Sequence, residues 1–148
     1  MCGIIGYCGQ KPAVPIVLEA LKRLEYRGYD SAGIASLCDG RRLIMKKAIK
    51  VHSYIPRHDL ASIPGNIAIG HTRWATHGAV TQFNAHPHSD CVGKVAVVHN
   101  GIIENNQQLR QELTKLGHHF SSETDTEVIP HLLEDELKKG HSLEQAVL

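Results

Sequence analysis

An α+β fold, antiparallel sheet packed against helices, is predicted by three features of the sequence. The elements run strand, helix, strands, helices, without the regular alternation that builds a doubly wound parallel sheet. Asp39-Gly40 joins two strand-like runs, and this dipeptide suits the positive φ angles of a type I′ hairpin turn. Several short apolar runs are bounded by Gly, Pro and Asn, as buried strands are.

The first element, residues 2–9, reads CGIIGYCG, an apolar strand whose glycines admit close approach by other backbone. From Pro12 the spacing of Val14, Val17, Leu18, Leu21 and Leu24 predicts a helix with prolines in its first turn and Gly28 as its stop. Ser31–Cys38 and 41–46 form the hairpin, and 51–63 is ambiguous between helix and strand. Pro64-Gly65-Asn66 then turns the chain into a strand over Ile67–Arg73.

A long loop rich in His, Asn and Gly occupies 75–90, and connections of that length are more often functional than merely connective. A strand follows over 92–99, ending in the sharp Asn100-Gly101 turn. Leu109, Leu113 and Leu116 mark a second helix ending at Gly117. Thr124-x-x-Glu127 reads as a capping box opening a third, with Val128, Ile129, Leu132, Leu133 and Leu137 as its buried stripe. Pro130 inside that helix predicts a kink or a late start. Lys138, Lys139 and Gly140 close it, and Ser142-x-x-Gln145 is another capping box. A single turn is not stable alone, so the 148 residues read as the front part, 1–148, of one domain of a longer protein.

Composition narrows the function classes. With 42% hydrophobic and 21% charged residues the chain is ordinary globular protein rather than disordered. A formal net charge of +1 supplies no broad field for nucleic acid. Arg41-Arg42 and Lys46-Lys47 read as a solvated strand edge. No apolar run approaches the roughly 18 residues that span a bilayer, and no secretory signal opens the chain, so a cytoplasmic protein without membrane partners is expected. Cys2, Cys8, Cys38 and Cys91 form neither a C-x-x-C pair nor a disulfide framework.

That leaves thiol reactivity as one use for a cysteine. Initiator Met is generally removed ahead of a small residue, and its loss would leave Cys2 with a thiol and a free α-amine on the same residue. An α-amine titrates near pH 8, so it can take the thiol proton and return it to a leaving nitrogen. Cys2 alone would also fit a buried small hydrophobe.

Six further motifs decide between those readings: CGIIG, LEYRGYDSAG at 24–33, HTRWATHG at 71–78, AHPH at 85–88, HNGIIEN at 99–105 and SETDTEV at 122–128. Together they resemble the glutaminase domains of the glutamine-fructose-6-phosphate aminotransferase family, across essentially the whole chain. The terminal Cys and the NG turn alone would indicate only the wider class II amidotransferases; purine-pathway enzymes and asparagine synthetases look different around the other motifs.

The resemblance implies an N-terminal-nucleophile αββα sandwich, incomplete at its C-terminus, and hydrolysis of glutamine to glutamate and ammonia. It implies Cys2 as nucleophile and Asn100 with Gly101 as the oxyanion hole. Arg73, with Thr76 and His77, would hold the substrate α-carboxylate and Asp125 the α-ammonium; Arg27 and Gly28 would shape the pocket, and Trp74 would belong to a lid over 73–81. No metal and no organic cofactor is implied. Fructose 6-phosphate would be met only through isomerase domains that this sequence lacks, in a full-length homo-oligomer. Two other readings stay open: an inert fragment of the same domain, and a metal- or partner-binding module built on the His-rich loop. For the latter, His71, His77, His86, His88 and His99 with Cys91 match no familiar zinc spacing.

Overall fold

The computed structural model describes residues 2–28, 30–38, 41–47, 63–74 and 79–148, and within 41–47 only the side chain of Ile44. Strands β1 (Gly3–Cys8), β2 (Ser31–Cys38), β3 (Arg41–Lys47) and β4 (Ile67–Arg73) form one antiparallel sheet in the order β1-β4-β2-β3. Cys38 pairs with Arg41, so the hairpin forms as expected, while its turn at 39–40, like the ambiguous 51–63 short of Ile63, lies outside the described residues. β3 is an outer strand, which places the basic residues of 41–47 on the sheet edge.

Helix α1 (Ala13–Leu24) covers one face of this sheet. Its apolar stripe, Ala13, Val14, Val17, Leu18 and Leu21, packs on Ala32, Ile34 and Ala68, with Ile5, Tyr7 and Ile63 at the margin. These are the alternate residues of β1, β2 and β4, as the two-residue period of a strand requires. The helix gives way to a 3-10 turn at Glu25–Arg27, and Gly28 follows in an extended conformation (φ −170°) rather than as a left-handed stop.

The opposite face of the sheet carries Ala35, Leu37, Ile67 and Ile69, which meet Val95, Val97, Leu133, Leu137 and Leu143 across an apolar groove. A two-stranded sheet, β5 (His88–Ser89) with β6 (Ala96–Val97), forms the third layer. Helices α2 (Asn106–Lys115), α3 (Val128–Lys138) and α4 (Leu143–Val147) complete an αββα arrangement. The expected strand over 92–99 shrinks to two residues because the Asp90 carboxylate accepts from Lys94 N at 3.1 Å and Val95 N at 2.9 Å, diverting both N–H groups from a ladder.

The helix ends largely match the sequence reading. Gly117 and Gly140 terminate α2 and α3 in Schellman motifs: His118 N donates to Leu113 O and Gly117 N to Thr114 O, with His141 N to Glu136 O and Gly140 N to Leu137 O at the second. Ser142 and Gln145 form the reciprocal capping box of α4. Pro130 causes no break, since α3 starts late, after a 3-10 turn at Asp125–Glu127, and the proline falls in its first turn where no intrahelical N–H is needed.

Two details differ. Thr124 makes no cap; its hydroxyl pairs with His88 Nε2 at 3.0 Å and Ser122 Oγ at 2.9 Å. Glu127, the expected partner of that box, instead accepts from Ser121 N, Ser121 Oγ, Ser122 N and Ser122 Oγ at 2.6–2.8 Å. Burial raises the pKa of Glu127, but these hydrogen bonds outweigh it and hold the carboxyl below its ordinary value. In α2 only Leu113 is buried and Leu116 is exposed, and in α3 Leu132 faces solvent while His131 and Glu134 turn inward. Among the described residues no helix is long and apolar enough to cross a membrane.

Candidate active site

Where β4 ends, its alternation places His71 and Arg73 on the face turned away from α1. They open onto a cavity of about 600 Å³ whose wall also carries Cys2, Arg27, Trp74, Asn100, Gly101 and Asp125. Cys2 immediately precedes β1, and β1 pairs with β4 so that Gly3 lies opposite Thr72. That register delivers the sulfur to the end of β4: Trp74 N donates to Cys2 Sγ at 3.2 Å, and Sγ lies 3.5 Å from Trp74 O. Two contacts to the backbone of one residue fix where the sulfur points.

Asn100 is held from two sides. Its Nδ2 donates to Cys2 O at 3.2 Å, and its Oδ1 lies 2.9 Å from His71 Nε2. The amide orientation makes His71 the donor through an Nε2 proton. Gly101 follows with φ +156°, and a Cβ there would come within 2.7 Å of His99 Nε2, so only glycine fits the turn.

Behind Asn100 stands a row of imidazoles. His71 and His86 stack at 4.2 Å between ring centroids, and His88 meets His86 edge-on at 4.6 Å. Burial lowers the His71 pKa to about 4, its hydrogen bond to Asn100 offsetting only part of the effect. Burial and the neighbouring rings push His86 far lower still. Both are neutral at physiological pH.

Arg73 and Asp125 supply the opposite charges of the cavity. Arg73 is buried, which lowers its pKa, while Cys2, Asp30 and Asp125 favour its charge. Its Nη1 donates to Ala79 O at 3.2 Å. Asp125, also buried, accepts from Ile103 N at 2.7 Å and Thr126 N at 2.9 Å, leaving carboxylate lone pairs for a further donor. A cation, an anion, a thiol and an amide donor facing one cavity can bind a zwitterion and present its tail to the sulfur.

Of the residues singled out in the sequence, Cys2, Arg27, Arg73, Trp74, Asn100, Gly101 and Asp125 share this wall. Gly28 is buried beside Arg27 but does not line the cavity, and Thr76 and His77 lie outside the described residues. His71, His86, His99, Ile102, Thr124 and Thr126 also line it, and the sequence assigned none of them a part in glutamine binding. All six fall inside the quoted motifs, which was the available signal.

The family model for the glutamine amidotransferase domain matches residues 56–144. The glutamine-fructose-6-phosphate aminotransferase (isomerizing) of Pyrococcus horikoshii is 57% identical over 146 residues, which is 99% of this chain and 24% of that protein. The enzyme of the same name from Chlamydia trachomatis is 55% identical over 146 residues, again 99% and 24%. This chain thus spans about a quarter of the length of the curated relatives it matches. Among solved structures, a glutamine phosphoribosylpyrophosphate amidotransferase from B. subtilis complexed with ADP and GMP superposes with a TM-score of 0.80 at 30% identity, covering 97% of this chain and 31% of that one. An allosteric regulatory enzyme of purine biosynthesis superposes with a TM-score of 0.81 at 31% identity, over the same shares.

Proposed function

The chain belongs to the glutamine amidotransferase domain family, and from that membership we propose that it hydrolyses the side-chain amide of glutamine with Cys2 as the mature N-terminal nucleophile. The reading rests on one observation: Cys2, Asn100, Gly101, Arg73 and Asp125, drawn from four separate segments, face a single cavity.

In this mechanism Arg73 holds the α-carboxylate and Asp125 the α-ammonium, so free glutamine is selected by both its charges. The Cys2 α-amine takes the thiol proton and the sulfur adds to the amide carbon. Asn100 Nδ2 and Gly101 N–H receive the oxygen that becomes negative. The α-amine returns the proton to nitrogen, the C–N bond breaks and ammonia leaves. Water then cleaves the thioester, giving glutamate and restoring the thiol; the balance is glutamine plus water to glutamate plus ammonia. Trp74, held against the sulfur, would close over the thioester with the adjoining loop.

In a full-length enzyme of the kind its relatives are named for, the ammonia would pass to fructose 6-phosphate to make glucosamine 6-phosphate. Intact-mass analysis after reaction with a glutamine-mimicking electrophile tests the nucleophile. One label on Cys2 of a chain lacking Met1 is expected, with no glutamate release by Cys2→Ala. A retained Met1 with full turnover, or a label elsewhere, would refute it.

A further inference from the structure

Away from this cavity, four side chains converge without a role in glutamine chemistry. Cys91 follows β5, His118 follows the Schellman glycine that ends α2, and His131 and Glu134 sit at i and i+3 on one face of α3. We propose that Cys91, His118, His131 and Glu134 form a structural site for a divalent transition-metal ion of the zinc class.

The donor geometry carries the argument. Cys91 Sγ lies 3.7 Å from His118 Nδ1 and 3.6 Å from His131 Nδ1, and the two nitrogens are 3.2 Å apart. Glu134 Oε2 lies 3.3 Å from His118 Nδ1 and 3.7 Å from His131 Nδ1. All four donor atoms lie within 4.8 Å of one another. Zinc bonds of about 2.0–2.3 Å arranged as a tetrahedron need donor separations of about 3.3–3.6 Å. Five of the six edges of such a tetrahedron fall between 3.2 and 3.7 Å, and the sixth, from sulfur to carboxylate, is within 4.8 Å. A proton between the two Nδ1 atoms would satisfy that pair alone, and does not account for the sulfur that meets both nitrogens.

The surroundings suit an ion as well. His118, His131 and Glu134 are almost wholly buried, while Cys91 reaches the surface and supplies a way in. His118 Nε2 is 2.9 Å from Asp135 Oδ1; an Nε2 proton donated there leaves Nδ1 with its lone pair facing the cluster. Glu134 is steadied by Cys91 N at 3.0 Å and by Lys138 Nζ at 2.8 Å from its other oxygen, and His119 N donates to Cys91 Sγ at 3.4 Å.

One sulfur, two imidazoles and one carboxylate select a borderline ion over magnesium or calcium, which prefer all-oxygen shells. Four protein donors leave no position for a reacting water, which marks the site as structural. Its purpose would be mechanical. The ion would tie β5, the end of α2 and α3 together, and α3 continues directly from the turn that carries Asp125. The sequence pairs Cys91 as a ligand with His71, His77, His86, His88 and His99 rather than with the H-x-x-E spacing of His131 and Glu134.

The test uses purified protein stripped with a chelator and reloaded with zinc or cobalt(II). One equivalent of zinc should survive desalting and raise the Tm by several degrees. The cobalt form should show the intense visible bands of a tetrahedral ion and a thiolate-to-cobalt charge-transfer band. Cys91→Ser should lose the charge-transfer band, His131→Gln should lose the bound equivalent, and Cys2→Ala should keep both. A wild-type cobalt spectrum without tetrahedral or thiolate features would overturn the proposal whatever the variants do. So would a charge-transfer band that survives Cys91→Ser or vanishes with Cys2→Ala.

Discussion

His71 Nε2 stands 2.9 Å from Asn100 Oδ1, so the side-chain amide that faces Cys2 is oriented by a buried, neutral imidazole contributed by β4. If Asn100 stabilises the oxyanion, Asn100→Ala should lower kcat for glutamine hydrolysis by about 10²–10³-fold with little change in KM. His71 acts one step back, as a positioning residue. His71→Ala should cost up to about 10²-fold in kcat by letting the amide rotate, and His71→Gln, which restores an N–H donor, should recover much of it. A steady-state comparison in which KM rises and kcat holds would contradict this assignment.

The same imidazole makes stability depend on pH. His71 titrates at about 4 in the fold against 6.5 when unperturbed, so the unfolded chain binds the extra proton across that interval. Its contribution is complete above pH 6.5 and is lost as pH falls toward 4, amounting to roughly 3 kcal/mol at about 1.4 kcal/mol per pH unit. His86 is also lowered by burial and acts in the same direction. Urea midpoints measured from pH 7.5 to 4.5 should decline from about 6.5 downward; a flat profile to pH 5 would be incompatible with neutral buried histidines.

What the sequence made legible was local. β4 was read end to end because its apolar alternation and its flanking turn lie within a dozen residues, and Gly117 and Gly140 announced their helix ends for the same reason. The misreadings came from partners distant in sequence or from side chains competing for backbone. Glu127 left Thr124 for Ser121 and Ser122, and Asp90 took the N–H groups of Lys94 and Val95. The motif residues of the cavity could be named in advance, but not the bond between His71 and Asn100, which only the folded register of β4 against the Asn100 turn creates.

Sheet and helix approach closely at Gly70, and that contact can be tested against a neighbour. A Cβ at Gly70 would lie 2.5 Å from Val17 Cγ1 and 2.9 Å from Leu21 Cδ1, both buried in the core. Gly70→Ala should therefore destabilise by about 1–3 kcal/mol, the usual cost of overpacking. At Gly6 on β1 the nearest atom would be 4.0 Å away, so Gly6→Ala should change stability by less than about 0.5 kcal/mol. Equal effects in denaturant titrations of the two variants would mean that α1 does not pack on β4 as closely as described.

The charge pair across the cavity separates recognition from chemistry. Arg73 and Asp125 are both buried, and each has backbone partners that hold it in place, Ala79 O for the guanidinium and the N–H groups of Ile103 and Thr126 for the carboxylate. Removing one charge-assisted contact to the zwitterion is worth about 1.5–3 kcal/mol, or roughly 10–100-fold in KM for glutamine. Arg73→Lys keeps the charge but loses the planar fork. It should weaken glutamine while leaving unchanged the already poor use of an analogue lacking the α-carboxylate. Asp125→Asn should show the converse, with no further loss for an analogue lacking the α-amine. Crossing two variants with two analogues thus assigns each residue to one end of the substrate, and a variant that penalises both analogues alike would show that its side chain shapes the cavity rather than reads the charge.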